Sequence, residues 1–325
     1  MSPLIQGVLT IIIGVGGCVG YFFASNLILD KVIFPPKGSN PGRNINRANM
    51  VRPWLFLLPA MLALGLYLVY PVVGSFYRSL FNRSGDEFIG LGNYIAMFGD
   101  DQFRVSLFNN FLWVLIVPAS ATFLGLLVAQ LTDRMKWGNI AKSLIFMPMA
   151  ISFVGASLIW KFVYANNPDV GMINAIRDTF GLGPVDVLQL PFWNNFFLMV
   201  ILIWIQTGFA MVILSAALRG IPEETIEAAI IDGANPFQVF FKIKVPQIMG
   251  TIVVVWTTIT ILVLKVFDIV YTMTGGNFGT EILPSYMMSY MFRDDGRATA
   301  VAFVIMLIVL PVMIWNIAQA RKEMR

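Results

Sequence analysis

Glu223, Glu224, Glu227 and Asp232 lie within ten positions of one another and are followed by Lys242 and Lys244, between two stretches that are almost wholly apolar. Carboxylates this close serve acid–base or metal chemistry only when other groups join them. None does. The chain has no histidine, and its one cysteine, Cys18, sits in an apolar run, so zinc sites, Cys/His nucleophiles and internal disulfides are excluded. The other acids are scattered and form no sugar-cleaving pair. The glycine run "GVGGCVG" (Gly14–Gly20) has neither a lysine nor a flanking strand, so it reads as a helix-packing stripe and not as a phosphate loop.

The elements that must carry this polar island are apolar bands. Of 325 residues 58% are hydrophobic and 12% charged, with a formal charge of +4. An average soluble domain is about a quarter charged, so the balance indicates a polytopic membrane protein. Seven stretches reach the roughly 20 residues that a spanning helix needs: Leu4–Leu29, Trp54–Phe76, Phe108–Leu131, Ser143–Val163, Phe196–Leu218, Ile248–Met273 and Ala298–Ala318. Their connections alternate in charge. Lys31, Lys37, Arg43, Arg47 and Arg52 follow the first span, Arg134, Lys136 and Lys142 the third, and Arg219, Lys242 and Lys244 the fifth, with Arg321, Lys322 and Arg325 in the tail. Acids weight the second connection, with Asp86, Glu87, Asp100 and Asp101 against Arg83 and Arg104. The positive-inside rule then puts the N-terminus outside and the C-terminus in the cytoplasm. The first span lacks a basic leading region and is too long for a signal peptide, so it reads as a retained anchor. Residues 30–52, rich in Pro, Gly and Asn, read as a cytoplasmic linker, giving an N-terminal part over 1–53 and a transmembrane domain over 54–325. Phe88–Phe103 and Asn166–Asp186 suggest short helices at the outer surface.

Locally, the polar island reads as two short helices. Pro222 suits a first helical position, and Glu223 and Glu224 favour the positive end of the helix dipole. Ile226, Ala229 and Ile230 share a face, with Glu227 on the flank. Asp232-Gly233 breaks the helix, Asn235 caps the next, Pro236 opens it and Pro246 closes it. Phe237, Phe240 and Phe241 then line one side. These apolar faces stand on the cytoplasmic side with acids beside them. Anionic headgroups attract basic helices, so a soluble protein partner fits better than the lipid surface.

"EAAIIDGANPFQVFFKIKVP" resembles the coupling motif of ABC importer permeases: Glu-Ala-Ala, three residues, Gly, nine residues, Ile, one residue, a hydrophobe and Pro. Glu227, Ala228, Ala229, Gly233, Ile243 and Pro246 match, and Val245 stands where Leu is usual. "LRGIPEETIEAA" (Leu218–Ala229), "FDIVYTMTGGNFGTE" (Phe267–Glu281) and "FIGLGNY" (Phe88–Tyr94) resemble the carbohydrate-uptake branch, related to the maltose transporter permeases. Gly275–Phe303 looks most like the α-glucoside permease subgroup. The resemblance implies an all-α, seven-span protein: one extra N-terminal helix ahead of a six-helix type I importer core over 54–325, matched most strongly over about 105–319, with the coupling loop at 219–247. It also implies that Phe237, Phe240 and Phe241 anchor in an ATPase cleft, that Glu227 makes polar contacts there, and that Ala228 and Ala229 allow close approach. The implied partners are two ATPase subunits, a second related permease and an extracytoplasmic sugar-binding protein docking on Asn166–Trp193 and other outer loops, in a bacterial inner membrane. No nucleic acid is involved. With no Walker lysine loop, the chain is not an enzyme and needs no cofactor of its own; ATP and Mg belong to the ATPase.

A sugar path requires polar and aromatic groups facing the bundle interior. Trp204, Gln206, Thr207 and Phe209 in the fifth span and Thr257, Thr258, Thr260, Lys265, Asp268 and Tyr271 in the sixth qualify. Each threonine has the alternative of bonding its own helix backbone, and Lys265 and Asp268, at i and i+3, that of pairing with each other. An ABC permease for another solute, such as a polyamine or phosphate, would share the coupling loop. An ion-driven secondary transporter would show related halves, and a membrane transferase a catalytic cluster; neither sign is present.

Overall fold

The computed structural model describes residues 2–36, 41–133 and 135–323, with the side chains of 316 and 320–323 left out. Lys37, Arg134 and Arg325 of the charge pattern lie outside the described residues, as do the side chains of Arg321 and Lys322. The regular secondary structure of the described residues is all helical. No strand forms among them; Phe81 and Phe88 make a lone antiparallel bridge. The chain divides into residues 1–74 and 75–325.

The first unit holds α1 (Pro3–Ile28), a π-turn (Leu29–Ile33) and α2 (Pro41–Leu64). Much of the expected linker is therefore helix. Proline at its first position loses no hydrogen bond, and the apolar run beyond Arg52 carries the helix on. A bidentate Arg52–Asp30 pair (2.7 and 2.9 Å) and the Tyr21 hydroxyl donating to the Leu55 carbonyl (2.8 Å) join the two helices. Phe22 sets its edge on Phe56 at 5.3 Å between centroids, and most other side chains of these helices are exposed. Around Gly14, Gly16, Gly17 and Gly20 no neighbouring atom lies within 4 Å, so the glycine stripe finds no packing partner among the described residues.

A second π-turn (Gly65–Val69) leads to α3 (Tyr70–Arg78). Beyond it come α4 (Gly92–Phe98), α5 (Asp101–Thr132), α6 (Gly138–Phe146), α7 (Phe153–Val163), α8 (Met172–Thr179), α9 (Trp193–Arg219), α10 (Glu223–Ile231), α11 (Pro236–Gln238), α12 (Val245–Gln247), α13 (Met249–Val263), α14 (Asp268–Met273), α15 (Leu283–Tyr290) and α16 (Asp295–Glu323). The short helices α4 and α8 fall where the outer loops suggested them. Among the described residues five helices are long and apolar enough to cross a membrane, and two bent pairs pass when taken together: Gly138–Ala150 with Phe153–Val163, and Pro236–Gln247 with Met249–Val263.

Two expected spans are interrupted. Between α6 and α7 a 3₁₀ turn at Pro148 and an extended Ile151 (ψ 139°) bend the path by 106°, and the Ser152 hydroxyl caps α7. The sixth breaks after α13, whose 15 residues reach about 22 Å at 1.5 Å per residue, short of roughly 30 Å of hydrocarbon. Its path resumes at Asp268 in α14.

The core of the second unit forms where α5 and α9 pack closely. Trp113, Val117 and Ala121 meet Leu198, Leu202 and Ile205, all buried. Gly125 permits this approach: a Cβ there would stand 2.5 Å from Ala210 Cβ and 2.8 Å from Met211 N. Gly125→Leu should therefore lower unfolding stability in detergent by about 2 kcal/mol or more. Gly14→Leu, placed in open space, should leave the same melting curve unchanged; equal curves for both variants would refute this packing.

Candidate functional site

The hairpin at 223–247 forms as a continuous local structure. Glu223 and Glu224 occupy the first turn of α10, which Pro222 caps. The helix stops at Asp232, and Gly233 takes φ 85°. The space around it is open, so the left-handed conformation, not crowding, requires glycine. Asn235 Oδ1 accepts from Gln238 N and Gln238 Oε1 accepts from Asn235 N, both at 2.9 Å, a reciprocal capping box. Pro246 does not close the second helix as expected. The helix widens into a π-turn over Val239–Lys244, runs through Pro246 in α12 and stops at Ile248. The wider turn has already left the regular i→i−4 pattern that a proline ring would break.

Ala229 is buried and Ile226 half-buried, whereas Ile230 turns outward with Glu227 and Ala228, so close approach inside the chain rests on Ala229 alone. Phe237 is 76% and Phe241 59% exposed. Phe240 is half-buried and sets its edge on Phe241. With Leu127, Gln130 and Leu131 of α5 they line an apolar hollow of about 290 Å³. Ile243 is half-buried and Pro246 exposed. Lys244 Nζ donates to Gln130 Oε1 at 3.2 Å and ties the hairpin to the end of α5. Close by in sequence to that end, Lys142 pairs with Asp133 and donates to the Ser215 hydroxyl at 2.6 Å, joining α6, the end of α5 and α9.

The path candidates fall on α9, α13, α14 and the break between the last two. Gln206 is 4% exposed and its amide has no hydrogen-bond partner among the described residues. Thr207, Thr257, Thr258 and Thr260 each bond a carbonyl of their own helix. Trp204 is half-buried edge-to-face on Trp160, at 5.8 Å between centroids, and Phe209 is half-buried. Lys265 and Asp268 make no ion pair among the described residues. The backbone between them is not helical, so the i, i+3 spacing no longer brings them together. Each instead sits at a complementary dipole end, Lys265 just past α13 and Asp268 at the first position of α14. Tyr271 is exposed and stacked on Phe267 at 4.8 Å.

Four asparagines escaped the sequence reading. Asn109 Nδ2 donates to the carbonyls of Gly279 (2.8 Å) and Glu281 (2.7 Å), and Asn194 Nδ2 to that of Phe278 (2.8 Å). Asn110 Oδ1 accepts from Leu283 N at 2.6 Å, and Asn195 bridges weakly to Asn109. Together they hold the glycine-rich turn between α14 and α15. Their signal is a repeated Asn-Asn doublet early in α5 and α9.

The family described as "Binding-protein-dependent transport system inner membrane component" matches residues 121–324 of this chain, a stretch that contains the whole hairpin. The chain belongs to that family. Among relatives of this permease, the alpha-glucoside transport system permease protein AglF of Rhizobium meliloti (strain 1021) is 62% identical over 333 aligned residues, covering 99% of both chains. The osmoprotective compounds uptake permease protein GgtC of Synechocystis sp. is 48% identical over 275 residues, 83% of this chain and 99% of its own. In fold, a chain of a bacterial alginate ABC transporter, solved in complex with an alginate pentasaccharide-bound periplasmic protein, matches with a TM-score of 0.73 at 20% identity, over 87% of this chain and 98% of that one.

In this permease the turn between α14 and α15 also buries an acid. Glu281 is 5% exposed and its Oε2 has no hydrogen-bond partner among the described residues. Burial pushes its carboxyl from 4.5 up to about 7; a hydrogen bond from Gln102 opposes the shift and the charge of Asp100 adds to it. Asp100 behaves oppositely. Burial works against its charge, but the Tyr286 hydroxyl, the Gln102 N–H and the Arg297 guanidinium outweigh it and hold the group below its usual range. Since folded Glu281 keeps its proton above the unfolded value, the native state binds more protons between pH 4.5 and about 7, and its contribution to stability falls as pH rises through that window. Glu281→Gln should gain thermal stability over the wild type at pH 8 relative to pH 5; a constant difference between the two proteins across that range would contradict the assignment.

Proposed function

We propose that this permease carries a sugar of the α-glucoside class across the inner membrane as one half of an importer driven by partner ATPases. The observation that carries the reading is the hairpin: a glycine turn and a capped second helix present Phe237 and Phe241 to a partner, with Glu227 exposed on the first helix. An exposed aromatic pair flanked by acids has the character of a protein-docking anchor. In this arrangement two ATPase subunits close on ATP, draw the seated hairpins together, and the helices behind them switch the path between inward- and outward-facing. ATP and Mg act in those subunits, and this chain supplies no catalytic group. A second related permease completes the path, and an extracytoplasmic sugar-binding protein delivers substrate to the outer loops.

Seven crossings, with the N-terminus outside and the C-terminus in the cytoplasm, accord with the charge pattern, with α6 and α7 counted as one crossing and with α13, bent by 70° away from the second hairpin helix, as the start of another. Residues 1–53 then form an added anchor and 54–325 the transport domain. Gln206 with its unpartnered amide, Trp204, Phe209 and Tyr271 are the leading sugar contacts; Thr207, Thr260, Lys265 and Asp268 follow. The 62% identity to an alpha-glucoside permease along the whole chain supports the sugar class.

Gly233→Val or Glu227→Lys should reduce uptake of a radiolabelled α-glucoside roughly tenfold, the scale of losing one interface hot spot, while membrane levels stay at wild type. Unchanged uptake at normal expression would remove the docking role. Gentle detergent extraction should recover a second permease and two ATPase subunits with this chain, and an α-glucoside with its binding protein should stimulate their ATP hydrolysis. Stimulation by an osmolyte or polyamine alone would transfer the permease to another solute class.

A further inference from the structure

A cavity of about 520 Å³, separate from the hairpin, lies between α5 and α16, where the end of α13 leaves a gap. Leu107, Phe108, Phe111 and Val114 of α5 form one wall, Ile308 and Val312 of α16 another, and Leu264, the first residue past α13, a third. Both long helices are apolar enough to cross a membrane. Two polar residues interrupt the lining. Arg104 stands at the rim, near the start of α5, and Asn110 lies six positions further along the helix, about 9 Å at 1.5 Å per residue.

Asn110 is 4% exposed. Its Oδ1 is taken by Leu283 N, and its Nδ2 has no hydrogen-bond partner among the described residues. An amide N–H left open in an apolar medium costs several kcal/mol, so an acceptor is needed there. Arg104 bonds Asp101, an exposed pair one helical turn apart, and such pairs contribute little. Its other N–H groups remain available to an anion.

We infer that this cavity binds one phospholipid. The phosphate lies on Arg104, an ester carbonyl accepts from Asn110 Nδ2, and an acyl chain runs between Phe108, Phe111 and Ile308 beside the break in the sixth span. A cation at the rim, a lone donor about 1.7 turns deeper and a purely apolar remainder follow the order of phosphate, ester and hydrocarbon in a glycerophospholipid. An apolar helix of another subunit would fill the lower part but leave the Asn110 donor unmet.

The test uses the full-length permease in its purified importer complex, reconstituted in nanodiscs with phosphatidylglycerol carrying a diazirine in one acyl chain. Diacylglycerol with the same tagged chain is the phosphate-free arm. Photolysis and peptide mass mapping should concentrate phosphatidylglycerol adducts on residues 107–114 and 308–312. Diacylglycerol labelling there should be roughly tenfold lower, the scale of one lost charge-assisted hydrogen bond. Arg104→Gln should reduce phosphatidylglycerol labelling by a similar factor and Arg104→Lys should restore most of it. Val114→Phe, which fills the cavity without touching a polar group, should abolish it. Equal labelling by the two lipids, adducts spread evenly along the apolar surface, or cross-links from this stretch to a partner subunit in place of lipid would each overturn the assignment. These outcomes do not depend on which solute is carried, so they are distinguishable from failure of the transport reading.

Discussion

Hydrocarbon offers no hydrogen bonds, so every place where the backbone of this permease leaves a helix must find its partners inside the protein. The second unit breaks its helices repeatedly, at Ile151, after Val263 and through the turn between α14 and α15. That last turn is held by side-chain amides from two other helices. Asn109 and Asn194 satisfy its carbonyls, while Asn110 accepts the first N–H of α15. The amides can reach because α5 and α9 run close together, and that closeness depends on a residue without a side chain at position 125. One steric allowance thus supports the core, the turn and the broken span beside the path.

The same economy separates the two faces of the second unit. Near the turn, Asp100 caps α5 and also gathers Tyr286 and Arg297, linking α5, α15 and α16 through one ionised carboxylate. Near the hairpin, Asp133, Lys142 and Ser215 tie α5, α6 and α9, and Gln130 with Lys244 ties the hairpin to α5. Helix α5 is therefore fastened at both ends by ionic or polar contacts and packed in the middle by small and apolar ones. A displacement of the hairpin has a direct mechanical route into this helix.

Much of this was legible in the residues. Hydropathy located the long helices, and Asp232-Gly233 and Asn235-Pro236 marked the hairpin because local φ preferences and capping act within a few residues. The breaks were less visible. From Leu262 to Val270 the chain has no proline or glycine, and only Lys265 and Asp268 interrupt its apolar run, so nothing local announces that the helix stops, and the Lys265–Asp268 spacing misleads for the same reason. Pro246 misled in the opposite direction, since a proline signals an end only where the helix around it is regular. Within the expected linker the helix from Pro41 onward was not visible, because Pro41 is an ordinary turn signal that costs nothing at a first helical position, and the apolar run beyond Arg52 carries the helix on. The asparagine amides were missed because their partners lie about 80 to 170 residues away in sequence, a distance over which no local pattern operates.

The π-turn at Val239–Lys244 carries a further consequence. A wide turn amounts to about one extra residue relative to an α-helix, and one residue corresponds to about 100° of rotation. The direction in which Phe237 points is thus set by a counting offset and not by the chemistry of the residues between it and α13. Lineages of such permeases could re-aim their docking face by gaining or losing a single position here, leaving the membrane-embedded helices and their packing untouched.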